Sequence, residues 1–205
     1  EIGQTGVMDA VTLQENPVHY ADVLDIGGIP TGYLVYNSFT SNFDLQLNEA
    51  FQSFKDQGVQ RLILDLRYNG GGSVQTAIYL ASMIHTTNVS QVFAQSEWND
   101  KYNAYWKAQY GPDVLNYYFT DEIEKYDEES ETTLTYPIAS LGLGADEVYV
   151  ITSRSTASAS ELVINGLEAY FDVKLVGLNT TGKYVGSVTV KDIDNQGNLN
   201  NNHKW

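Results

Sequence analysis

Two short, nearly uninterrupted apolar runs, each leading into a turn of small residues and then an apolar helical stripe, constrain the fold of this chain most. Residues 61–67 read RLILDLR and open into Tyr68, Asn69 and the glycines Gly70, Gly71 and Gly72, after which Val74, Ala77, Ile78, Leu80, Ala81 and Ile84 recur at helical spacing. Residues 148–152 read VYVIT, open into the run Ser155 to Glu161 (STASASE), and continue as a helical pattern to Tyr170. Runs of this kind are strands of the buried type. Strands alternating with helices at these lengths predict an α/β fold with helices packed on a mainly parallel sheet.

The rest of the chain fits that plan. Residues 18–39 alternate around a Gly/Pro turn at 27–31 and predict a hairpin. Phe43, Leu47, Ala50, Phe51 and Phe54 predict a helix capped by Ser41 or Asn42 and ended by Gly58. A brief strand is expected at 92–95, a third buried-type strand at 173–178 and a fourth at 186–191. Residues 97–110 predict an aromatic helix carrying Tyr102, Tyr105, Trp106 and Tyr110, with Trp98 at its start. Its rings read as core or interface more readily than as a substrate platform, with a lid or dimer contact as the functional alternative. Residues 1–30 form an N-terminal segment and the start of the hairpin, and 31–205 form the core. Both ends read as cut, since residues 187–205 stop after a strand and a turn.

Composition narrows the function classes. Eleven Lys and Arg against 26 Asp and Glu leave a net charge of −15 in 205 residues, which repels a phosphate backbone over most of the surface, so no nucleic-acid partner is expected. Seven of the carboxylates crowd residues 121–131 around Lys125 alone. That stretch reads as a solvated loop or helix edge rather than a recognition patch. The absence of cysteine removes thiolate catalysis and Cys-ligated zinc, and no apolar run is long enough to span a membrane. Asp192 and Asp194 open a pattern resembling a calcium loop whose twelfth position is His203 instead of glutamate, so a polar turn is expected and no metal or other cofactor. Asn88 and Asn179 begin sequons that matter only in a glycosylating pathway.

Three glycines in a row let a ligand approach the backbone closely and leave N–H groups to bind negative charge. Residues 68–72 therefore read as an anion cradle, an oxyanion hole or a plain strand-to-helix turn. The phosphate reading lacks its partners: no Gly-Lys-Ser/Thr follows, and Gln75 stands where a dinucleotide fingerprint needs glycine. Ser158 and Glu161 satisfy the capping-box pattern. A helix N-terminus is equally a place where a serine oxygen turns outward and its developing charge is stabilised. A nucleophilic serine needs a base. His19, His85 and His203 sit in no triad context, whereas Lys183, in Gly182-Lys183-Tyr184, returns to the same sheet edge one strand and one turn later. A lysine kept neutral by burial can take the serine proton, which requires its amine within about 3–4 Å of the hydroxyl. Standing alone, Lys183 would read as a surface lysine in a turn.

DLRYNGGG, then STASASE, then GLNTTGKYVG resembles the C-terminal processing (tail-specific) peptidases, the serine-lysine proteases of family S41, over residues 32–190. In that family the nucleophile stands in an S-A-S-A-S-E run and the lysine 25 positions later, the separation of Ser158 and Lys183 here. The resemblance implies a crotonase-like/ClpP-like ββα core and an acyl-enzyme mechanism. It implies an oxyanion hole from the Ala159 N–H with an N–H of Gly70, Gly71 or Gly72. Many members carry glutamine four residues after the lysine; Ser187 stands there, and its hydroxyl is the expected orienting group. The resemblance further implies a polypeptide substrate, export to the periplasm, cell envelope or exterior, and a PDZ domain; residues 1–30 are too short to hold one, so the expectation is that it has been cut away or that this member works without it. A homo-oligomer fits as well. The competing class is a non-catalytic module binding peptide or a small apolar ligand on the same fold. A crotonase acting on acyl-CoA is held back by the lack of a nucleotide-phosphate site.

Overall fold

The computed structural model describes residues 13–187. In chain order its elements are β1 (Val18–Ile26), β2 (Ile29–Tyr36), α1 (Asp44–Asp56), β3 (Arg61–Asp65), α2 (Val74–Ile84) and β4 (Val92–Gln95). There follow α3 (Asp100–Tyr110), β5 (Asn116–Tyr118), β6 (Glu122–Asp127), β7 (Thr132–Pro137), β8 (Val148–Thr152), α4 (Ala159–Glu168) and β9 (Lys174–Gly177). The strand expected at 186–191 lies, apart from 186 and 187, outside the described residues, as do Asp192, Asp194 and His203.

The central sheet runs β1-β2-β3-β8-β9. Among the described residues its only antiparallel pair is the hairpin β1/β2, which turns on Gly27 and Gly28 at φ 65° and 82°, values that suit a right-twisted two-residue turn and that residues with a Cβ resist. The pairs β2/β3, β3/β8 and β8/β9 are parallel. The fold is thus mixed α/β with a mainly parallel sheet, and the hairpin at its edge makes residues 18–30 part of the same sheet as the core.

The strands are buried on one face, not two. Leu34 and Tyr36 of β2, Leu62 and Leu64 of β3, and Val148 and Val150 of β8 are each fully buried. They share one cluster with Leu47, Phe51 and Phe54 of α1, Ala77, Leu80 and Ile84 of α2, and Val163, Ile164 and Leu167 of α4. The alternate residues Tyr33, Val35, Ile63, Tyr149 and Ile151 are only half-buried. Period-two alternation of apolar residues on both faces masks this asymmetry in the sequence.

Two smaller pairs complete the chain. β4 and β5 flank α3, whose residues are none of them buried. Trp98, Tyr102, Tyr105 and Tyr110 are exposed, and Trp106 stacks on Tyr110 with ring centres 5.5 Å apart. The aromatic helix is a surface element, then, not core. The acidic stretch is a loop only in part: residues 122–127 form β6, paired residue by residue with the threonine-rich β7, and Glu128, Glu129 and Glu131 sit in the exposed turn between the two strands. Lys125 fastens this hairpin to the body. Its amine lies 2.7 Å from the buried Asp44 carboxylate and also bonds the Ser41 carbonyl, while Thr76 donates to the other Asp44 oxygen at 2.8 Å. One lysine among seven carboxylates is thereby the group that neutralises a buried acid.

Candidate active site

Three loops meet at the carboxyl edge of the parallel strands, the edge where open α/β sheets present their reactive groups. They are 66–73 after β3, 153–158 after β8 and 178–183 after β9. Each is pinned by side-chain bonds to a neighbour.

The loop after β8 folds on itself through Thr156. Ser153 N–H donates to the Thr156 hydroxyl at 2.9 Å, and that hydroxyl donates to the Leu66 carbonyl at 2.8 Å. Ala157 N–H and the Ser160 hydroxyl both donate to the Asn69 carbonyl, at 3.1 and 3.0 Å. Between these anchors Ser158 is held at φ 57°, ψ −113°, a conformation that costs about 1–3 kcal/mol and survives only where the surroundings over-determine it. Ser158 is half-buried and stands at the N-terminus of α4.

The glycine turn packs directly on it. Gly71 has φ 102°, and a Cβ there would fall 2.7 Å from the Ser158 Cβ and 2.9 Å from the Ala159 nitrogen. Only a residue without a side chain permits this approach. The Gly71 N–H is engaged, donating to Asn69 Oδ1 at 2.9 Å. Among the described residues no hydrogen-bond partner is found for the N–H groups of Gly70, Gly72 and Ala159. Gly71 therefore supplies the close approach, while its neighbours retain free donors.

Glu161 joins the serine loop to the lysine loop. Ser158 and Glu161 fit the capping-box pattern, and the half that forms at clear bonding distance is the Glu161 half: Ser158 N–H donates to Oε2 at 2.8 Å. The same carboxylate accepts the Gly182 N–H at 2.6 Å and the Lys183 N–H at 2.9 Å. Burial by itself would push the Glu161 carboxyl up. The Thr180 hydroxyl and the amides of Gly182, Ser158 and Lys183 outweigh it and hold the group below the usual carboxylate range. Thr181 adds two bonds, its N–H to the Thr156 carbonyl at 2.9 Å and its hydroxyl to the Arg154 carbonyl at 2.8 Å. An open cleft of about 410 Å³ lies alongside, lined by Thr152, Leu175, Gly177, Leu178, Asn179 and Thr180.

Lys183 is thus brought to the site through its backbone, not its amine. Its side chain is exposed, against the expectation of a partly buried group, because residues 181–187, Ser187 included, are all exposed and nothing described packs over them. His85 is structural: its Nδ1 lies 2.9 Å from the Leu143 carbonyl and its ring packs among Phe119, Tyr170 and Phe171. His19 is exposed at the far hairpin. At the end of β3 the buried Asp65 takes a two-pronged bond from Arg67, whose Nη2 stands 2.6 Å away, and another from the Tyr33 hydroxyl at 3.1 Å. Burial raises the Asp65 carboxyl, but these donors prevail and keep it below its ordinary value.

Comparison with known proteins decides the family. The model of peptidase family S41 matches residues 30–200. This chain belongs to that family. It is 26% identical over 180 residues to a carboxyl-terminal-processing protease from Picosynechococcus, covering 84% of this chain and 33% of that protein. It is 27% identical over 153 residues to the chloroplastic carboxyl-terminal-processing peptidase 3 of Arabidopsis thaliana, covering 75% and 24%. A crystal structure described as an S41 protease of Bacteroides fragilis superposes with a TM-score of 0.66 at 30% identity, covering 90% of this chain and 44% of that one. The chain spans a third or less of the length of these two curated relatives.

Sequence reasoning missed the work of two residues. Glu161 is legible as a cap, but its bonds to residues 21 and 22 positions away are not. Asn69 passes as part of a turn, yet it is completely buried and hydrogen-bonded to five residues. The only available signal was an amide side chain immediately before glycines, which marks a turn and nothing further.

Proposed function

We propose that this chain carries the catalytic centre of a serine endopeptidase that cleaves unstructured or C-terminal peptide segments through an acyl-enzyme. Ser158 is the nucleophile and Lys183 the base. The observation that carries the reading is the backbone of Ser158, turned to φ 57° at a helix N-terminus with Gly71 packed against it. A plain cap needs no such conformation. The serine attacks the scissile carbonyl as its proton passes to the Lys183 amine. The ammonium then protonates the leaving amine, and water, deprotonated by the same lysine, releases the acyl group. The Ala159 N–H, with the unpaired N–H of Gly70 or Gly72, faces the developing oxyanion; such donors are worth on the order of 100-fold to 1,000-fold each in turnover.

The exposure of Lys183 is the observation that favours the rival reading, a peptide-binding module without catalysis. The tether of its backbone to the Ser158 amide through Glu161 supports the catalytic reading, because it fixes the two chain segments at one place. Labelling of the full-length protein with an alkyl fluorophosphonate tests it. Mass spectrometry should find the adduct on Ser158 and lose it in Lys183→Ala; an unlabelled Ser158 in active protein refutes the assignment. A polypeptide substrate, export from the cytoplasm, a PDZ domain elsewhere in the protein and self-association belong to this proposal through the family alone.

A further inference from the structure

We infer that Asn69 is a positioning residue for the oxyanion site, acting through the Gly71 amide; the inference rests on the peptidase reading above. Asn69 is completely buried, and all of its polar groups are used. Its Nδ2 donates to the carbonyl of Tyr36, the last residue of β2, at 2.9 Å. Its own N–H donates to the Leu66 carbonyl at 3.1 Å. Its carbonyl accepts Ala157 N–H and the Ser160 hydroxyl, the residues on either side of the Ser158–Ala159 pair. Its Oδ1 accepts the Gly71 N–H.

These bonds divide the labour within one residue. The backbone of Asn69 holds the serine loop; its side chain holds the glycine turn and bolts both to β2. Gly71 and Gly72 have φ of 102° and 143°, backbone that pivots readily. An N–H left free to rotate there would leave the donors beside Ser158 unaimed. With the Gly71 N–H drawn inward to Oδ1, the amides on either side of it, Gly70 and Gly72, stay unpaired. The Phe39 backbone, three residues past the end of β2, fixes the far side of the turn, donating to the Gly71 carbonyl at 3.0 Å and accepting Ser73 N–H at 2.8 Å. Donor orientation in the turn therefore depends on the Asn69 carboxamide, at a distance from any reacting atom.

Such a group acts in the transition state and not in substrate binding. In the full-length protein, Asn69→Ala should lower kcat on the order of 100-fold with KM changed less than about threefold. Asn69→Ser offers a shorter acceptor to the amide two residues on and should recover part of that kcat, although it cannot bond Tyr36. A peptide aldehyde, which forms a tetrahedral adduct with the serine, should lose affinity in the same proportion as kcat, whereas a product peptide should not. Thermal melts of all three proteins report the structural part. Folded Asn69→Ala or Asn69→Ser protein with wild-type kcat would overturn the inference, as would a kcat loss of equal size in both variants that follows only their loss of folded protein. If wild type itself neither hydrolyses peptides nor takes up a fluorophosphonate, the peptidase reading fails and takes this inference with it. Active wild type with an indifferent Asn69 removes the inference alone.

Discussion

Replacing Gly71 by alanine tests the packing of the glycine turn against the nucleophile. The new methyl would lie 2.7 Å from the Ser158 Cβ, 2.8 Å from the Ala157 carbonyl oxygen and 2.9 Å from the Ala159 nitrogen. Non-bonded carbons prefer about 3.5–4.0 Å, so the turn and the serine loop must separate by about 0.8–1.3 Å. Two of the three obstructing atoms are backbone and cannot swing aside. A misplacement of about 1 Å costs on the order of 100-fold in rate. In stability, the positive φ adds about 1–2 kcal/mol and the forced separation about 1–3, a fall in Tm of roughly 4–20 °C for a domain of this size. Gly58→Ala isolates the first contribution, because Gly58 also has positive φ, 68°, but a Cβ there meets nothing within 4 Å. The assay is peptide hydrolysis by the full-length protein, paired with thermal melts. Gly71→Ala should lose stability and turnover together, Gly58→Ala stability alone. Wild-type kcat in Gly71→Ala would refute the packing argument.

Three further expectations follow from the same geometry. Ser158→Ala should abolish hydrolysis while lowering stability by no more than about 0.5–2 kcal/mol, the usual worth of a cap; residual hydrolysis at the wild-type rate would return Ser158 to a structural role. Lys183→Arg should be as inactive as Lys183→Ala, since a guanidinium does not surrender its proton, and retained activity in the arginine variant would remove the lysine mechanism. Glu161 is held below the usual carboxylate range, so its contribution to stability is complete above the unfolded value of about 4.3 and is lost as pH falls through its lower folded value. Urea titrations between pH 6 and pH 2 should therefore show a steeper acid loss in wild type than in Glu161→Gln, and parallel curves would contradict the tether.

Local pattern carried much of the fold. The strands at 92–95 and 148–152 stand where the apolar runs placed them, and the helices begin within a few residues of their expected caps, because strand length, small-residue turns and helical spacing are all local properties. The acidic hairpin was hidden because charged residues of β6 obscured an alternation that becomes visible only opposite Thr132, Thr133 and Thr135 of β7. The aromatic stripe of α3 has the spacing of a buried face, but no element packs on it among the described residues, and spacing alone does not say what lies opposite. Ser158, Lys183 and the glycines were legible as motifs. What binds them together was not, since Asn69 reaches Tyr36 across 33 positions and Thr156 reaches Leu66 across 90.

The Glu161 tether gives the separation of Ser158 and Lys183 a mechanical cause. From Ser158 the chain runs through α4, crosses at 169–173, returns along β9 and comes back at Lys183, where the carboxylate three residues past the start closes the path. Such a path is a ring in everything but covalent bonds. Its rigid parts, a helix and a strand locked in register with β8, cannot absorb an inserted or deleted residue. Any change of length must be taken up in the crossing at 169–173 or in the return at 178–181, or else one end is pulled from the carboxylate. Circular closure of this kind turns a count of residues along the chain into a fixed distance in space.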